Sequence, residues 1–197
     1  MKWIIGILVL ILWFYILHVT KKAKLSAWRF VWGAVGLFVI SMVYIRPYIT
    51  IPLARIVSAV AGGFGQMTGT FSSYFKYSTI FVSHASGDMT VQIDFECSGV
   101  IEILAFLSIL AFFEIYNLQE KFLVGIAGSM YLVLANAIRL ILICEIIHFA
   151  GSDYYYIAHT YLGRIVFYVL AVVLYFFVFT KPQVVKMKVG DFSYDHQ

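Results

Sequence analysis

Three side chains suited to acyl-transfer chemistry lie in or beside apolar runs of this chain: Cys97, Arg139 and His159. A thiol supplies a nucleophile, an imidazole exchanges protons near neutral pH, and a guanidinium stabilises an oxygen that gains negative charge. If the fold brings the three groups to one place, they predict a reaction at a carbonyl carbon.

Cys97 stands in the run FECSGV, at the start of an apolar segment. We expect the unpaired amides of a helix N-terminus to favour its thiolate form. Ser98 and Gly99 keep the surroundings small, so an extended substrate backbone can approach. Two structural interpretations stay open: a small apolar residue that begins a span, or a disulfide with Cys144.

Arg139 lies inside the apolar run LANAIRLIL. Placing a cation there costs at least about 2.5–3.5 kcal/mol, which makes a functional site the first hypothesis. Asn136 is three residues earlier and therefore shares its helical face. The alternative is a structural ion pair, for which the candidate carboxylates are Glu102, Glu114 and Glu145.

His159 opens the last apolar run, where an interfacial imidazole can act as a general base. Arg164 follows five residues later, and His84 and His148 are rival histidines. The tyrosines at 154–156 are interpreted as an interfacial aromatic belt.

Composition places the chain in the membrane. Hydrophobic residues make up 62% of it and charged residues 12%, as expected of an all-α integral membrane protein. The net charge of +4 comes from short basic clusters beside apolar runs, so we read it as an orientation signal and expect membrane lipid, not nucleic acid, as a partner. We expect no metal and no cofactor, because no Cys-x-x-Cys, His-Glu-x-x-His or phosphate-binding glycine loop is present.

About five transmembrane helices are predicted, each near the 20 residues that a bilayer core requires. The first is interpreted as a retained span, since no cleavage site follows it. Their expected bounds are Trp3–Val19, Trp28–Ile45, Cys97–Tyr116, Phe122–Phe149 and His159–Thr180.

The cations orient this bundle. If the spans alternate in direction, eight clustered cations lie on one side of the membrane and four dispersed cations lie on the other. This asymmetry predicts an N-terminus outside and a C-terminus in the cytoplasm. The eight are Lys21, Lys22, Lys24, Arg29, Lys121, Lys181, Lys186 and Lys188.

The segment between the second and third spans is predicted to be extracytoplasmic. Residues 51–65 are expected to lie in the interface or to dip into the bundle, because Arg55 and a glycine cluster make a sixth span unlikely. Residues 77–82 and 90–95 alternate β-formers around a turn and predict a short β-hairpin-like insertion. The chain is thus one membrane domain: two N-terminal spans (1–48), this segment (49–95), a three-span core (96–182) and a cytoplasmic tail (183–197).

Three motifs on consecutive spans carry a resemblance: ECSGV around Cys97, Asn136-Ala-Ile-Arg139, and His159 with Gly163. In order, spacing and membrane setting they resemble the exosortase/archaeosortase family, over roughly residues 95–179. The short length resembles the Gram-positive branch of that family.

The resemblance implies a membrane-embedded cysteine protease-transpeptidase. Its substrates would be exported proteins with a C-terminal membrane-anchoring signal, cleaved at the outer face of the bacterial plasma membrane. Cys97 would be the nucleophile, Arg139 the stabiliser of the oxyanion or thiolate, and His159 the proton relay. Some family members have an arginine in the third role, so Arg164 competes with His159; Asn136 and Ser98 would be supporting residues.

Two other functions remain open at this stage. A non-enzymatic membrane protein, such as a transporter subunit or a surface-polysaccharide assembly factor, would use Arg139, Asn136 and the glutamates as a polar path or as helix contacts. A cysteine hydrolase would cleave but pass the product only to water.

Overall fold

The computed structural model describes residues 2–84, 87–95 and 97–189 and consists mainly of helices. The elements are, in chain order, α1 (Lys2–Lys22), α2 (Ser26–Tyr44), α3 (Arg46–Thr68), β1 (Phe71–Tyr74), β2 (Thr79–Val82), β3 (Met89–Gln92), α4 (Val100–Phe112), α5 (Leu118–Ala150), α6 (Tyr155–Ile157), α7 (Gly163–Tyr175) and α8 (Lys181–Val189). Two π-helical segments, Ala158–Leu162 and Phe176–Thr180, flank α7.

Among the residues that the structure describes, four helical stretches are long and apolar enough to cross a membrane. They are Ser26–Tyr44, Arg46–Thr68, Leu118–Ala150 and Ser152–Val185. The first predicted span falls on α1, a helix of 21 residues. The prediction of a helical membrane protein is therefore confirmed, although two of its elements differ in detail.

The first difference is α3, a continuous 23-residue helix where only an interfacial segment was predicted. Its glycines argued against a span, but they serve packing: a Cβ on Gly62 would lie 2.3 Å from Ser73 Cβ, and one on Gly65 would lie 2.5 Å from Phe71. These glycines let β1 approach the helix closely. By length and composition alone α3 could cross a membrane, so the sixth span that Arg55 and the glycines argued against stays open.

The second difference is the third predicted span, Cys97–Tyr116. Its helix, α4, has 13 residues and begins at Val100, three residues after Cys97. Cys97 consequently lies in the turn before the helix, and the argument that the helix N-terminus directly activates the thiol loses force.

The connections α1–α2 and α4–α5 lie at one end of the bundle, together with the end of the last span. Arg29 Nη1 is 3.5 Å from Glu114 Oε1, and the Tyr116 hydroxyl donates to the Val178 carbonyl over 2.7 Å. Lys121 Nζ donates to the Ala111 carbonyl here as well. We call this the basic end, defined by Arg29, Lys121 and the residues they contact.

The three-stranded antiparallel sheet, ordered β1-β2-β3, packs near the opposite end of α5. Strands β2 and β3 form the predicted hairpin, whereas β1 was not anticipated. His84 Nδ1 is 2.7 Å from the His148 carbonyl, and His148 Nδ1 is 2.8 Å from the Ser83 carbonyl. The Thr70 hydroxyl adds a hydrogen bond to Glu145 on α5.

The length of α5 separates these two ends. Its 33 residues make about 50 Å of helix, against a hydrocarbon core of about 30 Å. An open sheet with polar residues such as Thr90 and Gln92 exposed is unsuited to hydrocarbon, where backbone groups at a sheet edge find no partners. We therefore expect the C-terminal turns of α5 to project from the membrane with the sheet beside them.

Candidate active site

The turn between β3 and α4 presents Cys97. The Cys97 backbone amide donates to Asp94 Oδ1 over 3.1 Å, and the Ser98 hydroxyl donates to the Phe95 carbonyl over 2.9 Å. Gly99 ends the turn with a φ of +76°, a left-handed conformation that an L side chain rarely adopts. The sequence of this turn thus fixes the backbone, and the thiol is left partly exposed.

Asn136 ties this turn to the middle of α5. Its side-chain amide donates to the Cys97 carbonyl, and the residue is 2% exposed. A Cβ on Gly99 would lie 3.4 Å from that amide nitrogen, so glycine also lets the turn pack closely on Asn136. Asn136 stands 18 residues after Leu118, or about 27 Å along the helix. If a hydrocarbon core of about 30 Å started at the basic end, the turn would lie close to its far edge.

His159 reaches the same place from the last span. Its Nε2 lies 3.2 Å from the Cys97 Sγ, although 62 positions separate the two residues. His159 lies in the π-helical segment, a local widening of the helix that often occurs at functional sites. A thiol and an imidazole at this distance can share a proton and form a thiolate–imidazolium pair.

Arg139 is buried one turn from Asn136, with 7% of its surface exposed. Within the described part of the chain, none of the three candidate glutamates comes within ion-pair distance of it. Glu114 pairs with Arg29, Glu145 accepts the Thr70 hydroxyl, and Glu102 has a buried Oε2 without a hydrogen-bond partner. Glu102 is near enough to attract Arg139 electrostatically, but Arg139 is not committed to a structural ion pair.

The other predicted residues occupy different positions. Arg164 is exposed on α7, whereas His159 faces the thiol. Ser98 is fully buried and shapes the turn through its bonds to Phe95 and Val100. No disulfide joins Cys97 and Cys144.

Sequence reasoning missed one neighbour of the site, Tyr155. Its ring stacks on the His159 imidazole, with centroids 5.4 Å apart and planes 24° from parallel. Its spacing of four residues before His159 was the available signal, because such pairs meet on one face of a helix.

These features define a class: a helical membrane protein with a cysteine–histidine pair, and with a buried arginine one turn along α5 from the asparagine that binds the cysteine carbonyl. The family model for transmembrane exosortases matches residues 2–176, and the chain belongs to that family. No curated protein and no solved structure matches it.

Proposed function

We propose that this exosortase is a membrane-embedded cysteine protease-transpeptidase. It cleaves a C-terminal sorting signal from exported proteins that are anchored in the membrane, and it transfers the new carboxyl end to an acceptor. The observation that supports this most is the 3.2 Å separation between Cys97 Sγ and His159 Nε2. Family membership suggests the same class of reaction.

The first half-reaction forms a thioester. The Cys97 proton passes to His159 Nε2, and the sulfur attacks the scissile carbonyl carbon. The peptide C–N bond breaks, and the departing amine takes its proton from the imidazolium. The N-terminal part of the substrate then remains bound to the sulfur as an acyl group, while the membrane-anchoring signal leaves.

The second half-reaction releases the acyl group. An amine or hydroxyl of the acceptor attacks the thioester carbonyl as His159 removes its proton, and the sulfur–carbon bond breaks. Water in place of the acceptor would give hydrolysis only. The acceptor therefore decides whether the enzyme behaves as a transpeptidase or as a protease.

In this proposal Arg139 stabilises the oxygen that becomes negative when the sulfur adds to the carbonyl. A buried guanidinium acts in a low dielectric, where its attraction for an oxyanion is stronger than in water. Its lack of an ion-pair partner among the three candidate glutamates supports this role, because a paired arginine would have less charge to offer. His159 is the proton relay here, and Arg164 is not.

We place the site at the outer face of the bacterial plasma membrane. The basic end contains Arg29 and Lys121, and cations favour the cytoplasmic side. The sheet and the Cys97 turn lie toward the other end of α5. Residues 96–182 form the catalytic core under this proposal, residues 1–48 are supporting spans, residues 49–95 contribute the sheet, and residues 183–197 form a cytoplasmic tail.

The decisive experiment compares Cys97→Ala with Cys144→Ala in membranes that contain candidate exported substrates. An acyl-enzyme that hydroxylamine releases should form with the wild-type protein and with Cys144→Ala, and it should be absent in Cys97→Ala at equal protein abundance. Both substitutions remove one thiol, so the comparison separates chemistry from general damage. Processing at the wild-type rate in Cys97→Ala would overturn the proposal and leave a non-enzymatic membrane protein as the remaining function.

A further inference from the structure

The three consecutive tyrosines before His159 do not have equivalent environments. Tyr154 and Tyr156 are 51% and 65% exposed, as an interfacial aromatic belt requires. Tyr155 is partly buried and packs against the apolar cluster that contains Ile143 and Ala158. The two outer tyrosines are thus free to form an aromatic belt, whereas the middle one packs inward.

Tyr155 lies against the face of His159. The stacked geometry, with a centroid distance of 5.4 Å and planes 24° apart, covers one side of the imidazole. The torsion that turns a histidine ring is broad, so the ring adopts one orientation only when neighbours restrict it. A stacked phenol that is itself packed against the core supplies such a restriction.

The Tyr155 phenol is also within electrostatic range of other residues around the site. Asp94, Arg139 and the Cys97 thiol are all near enough to interact with it electrostatically. These groups come from the β3–α4 turn and from α5, so Tyr155 stands where the three segments that build the site meet.

We propose that Tyr155 is a positioning residue for the reaction, which holds the His159 ring so that Nε2 faces the Cys97 sulfur. The inference rests on the proposed function, because it assigns His159 as the proton relay. The apolar ring face does the positioning, and the hydroxyl is dispensable.

The test measures the reactivity of Cys97 itself, independently of any substrate. Full-length protein in detergent is alkylated with iodoacetamide across a range of pH, and mass spectrometry follows the peptide that contains Cys97. A thiol paired with a well-oriented imidazole keeps reacting at pH 6, where an ordinary thiol is almost wholly protonated.

Four variants separate the possible roles of the ring. Tyr155→Leu keeps apolar volume in the core but removes the stacking face, and it should lower the rate at pH 6 by about tenfold or more, with little effect at pH 9. Tyr155→Phe keeps the stacking face of the ring, and its Cys97 alkylation rate should stay within about twofold of wild type across the pH range. Tyr154→Leu and Tyr156→Leu are matched controls that should leave the profile unchanged.

Each result decides one point. If Tyr155→Phe and Tyr155→Leu lowered the Cys97 alkylation rate at pH 6 equally, the hydroxyl and not the ring face would position His159. That result would overturn the stacking role. An unchanged profile in Tyr155→Leu, with the variant eluting as folded protein, would overturn the inference while leaving the proposed function intact. Failure of the proposed function would instead appear as normal processing by Cys97→Ala, whatever the alkylation profile shows.

If Tyr155→Leu does not fold, the inference can be tested with Tyr155→Trp, for which retained reactivity is expected instead of a loss. It keeps a stacking face and should keep the low-pH reactivity. If folded Tyr155→Trp lost the low-pH reactivity of Cys97, that result would count against the proposal.

Discussion

The side-chain amide of Asn136, in the middle of α5, donates a hydrogen bond to the backbone carbonyl of Cys97, 39 positions earlier in the chain. The bond is made by a residue that is 2% exposed. It fixes the turn that bears the thiol against the helix that bears Arg139. The proposed nucleophile and the proposed oxyanion stabiliser are therefore linked through one helix.

Removing that bond should lower activity. For Asn136→Ala we expect processing to fall by about 10- to 100-fold, since leaving a buried group without its hydrogen-bond partner costs about 1–3 kcal/mol. Asn136→Asp should be at least as severe, because a carboxylate cannot donate to the carbonyl. The measurement is kcat/KM for substrate cleavage, with Ser129→Ala on the same helix as the control. Wild-type activity in Asn136→Ala would show that the turn holds its conformation without the hydrogen bond from Asn136.

Gly99 and Gly63 should respond oppositely to substitution by alanine. Gly99 has a φ of +76° and faces Asn136, so Gly99→Ala should destabilise the protein by roughly 1–2 kcal/mol and displace Cys97. Gly63 lies inside α3, and a Cβ there would have no atom within 4 Å. Gly63→Ala should be neutral or stabilising by up to about 1 kcal/mol. Thermal unfolding in detergent measures both effects, and equal destabilisation would refute the assigned strain.

Arg139→Lys should be severe although it keeps the charge. An ammonium lacks the planar fork of donors that a guanidinium offers, and losing an oxyanion donor typically lowers kcat by about 10²–10³-fold. Alkylation of Cys97 should persist in this variant, because the thiol–imidazole pair stays in place. Arg55→Lys, at an exposed position on α3, is the matched control. A kcat close to that of wild type would remove Arg139 from the mechanism.

His159→Ala should be more damaging than Arg164→Ala. The His159 Nε2 lies 3.2 Å from the Cys97 sulfur, whereas Arg164 is exposed on α7. Cleavage rates of the two variants, measured at equal membrane abundance, should differ by about tenfold or more, within the usual range for a general acid–base group. The reverse order would assign the third catalytic role to Arg164.

The orientation can be tested by labelling intact cells with a membrane-impermeant maleimide. In a background without Cys97 and Cys144, a cysteine at Ser152 should react and one at Gln119 should not. Ser152 follows the projecting end of α5, and Gln119 lies next to the basic end. If Gln119→Cys were labelled and Ser152→Cys were protected, the predicted orientation would be wrong and the site would face the cytoplasm.

Hydropathy and local pattern were enough to predict most of the helices and one hairpin. Long apolar runs must form helices in lipid, since every backbone group needs an internal partner. They were not enough for α3, because Gly62 and Gly65 resemble loop residues until β1 is seen packed against them. The strand β1 was missed because its four residues have no partner in sequence until β2 is placed beside them.

The sequence by itself determined which groups are available for chemistry, since Arg139 is costly in an apolar run and calls for a role. Only the tertiary structure decided which of these groups lie in contact with one another. It brought His159, and not Arg164, to the Cys97 sulfur, bound Asn136 to the Cys97 carbonyl, and turned Tyr155 inward while its neighbours stayed exposed. Such contacts join residues up to 62 positions apart, and their geometry depends on how α4, α5 and the last span pack, which no local pattern encodes.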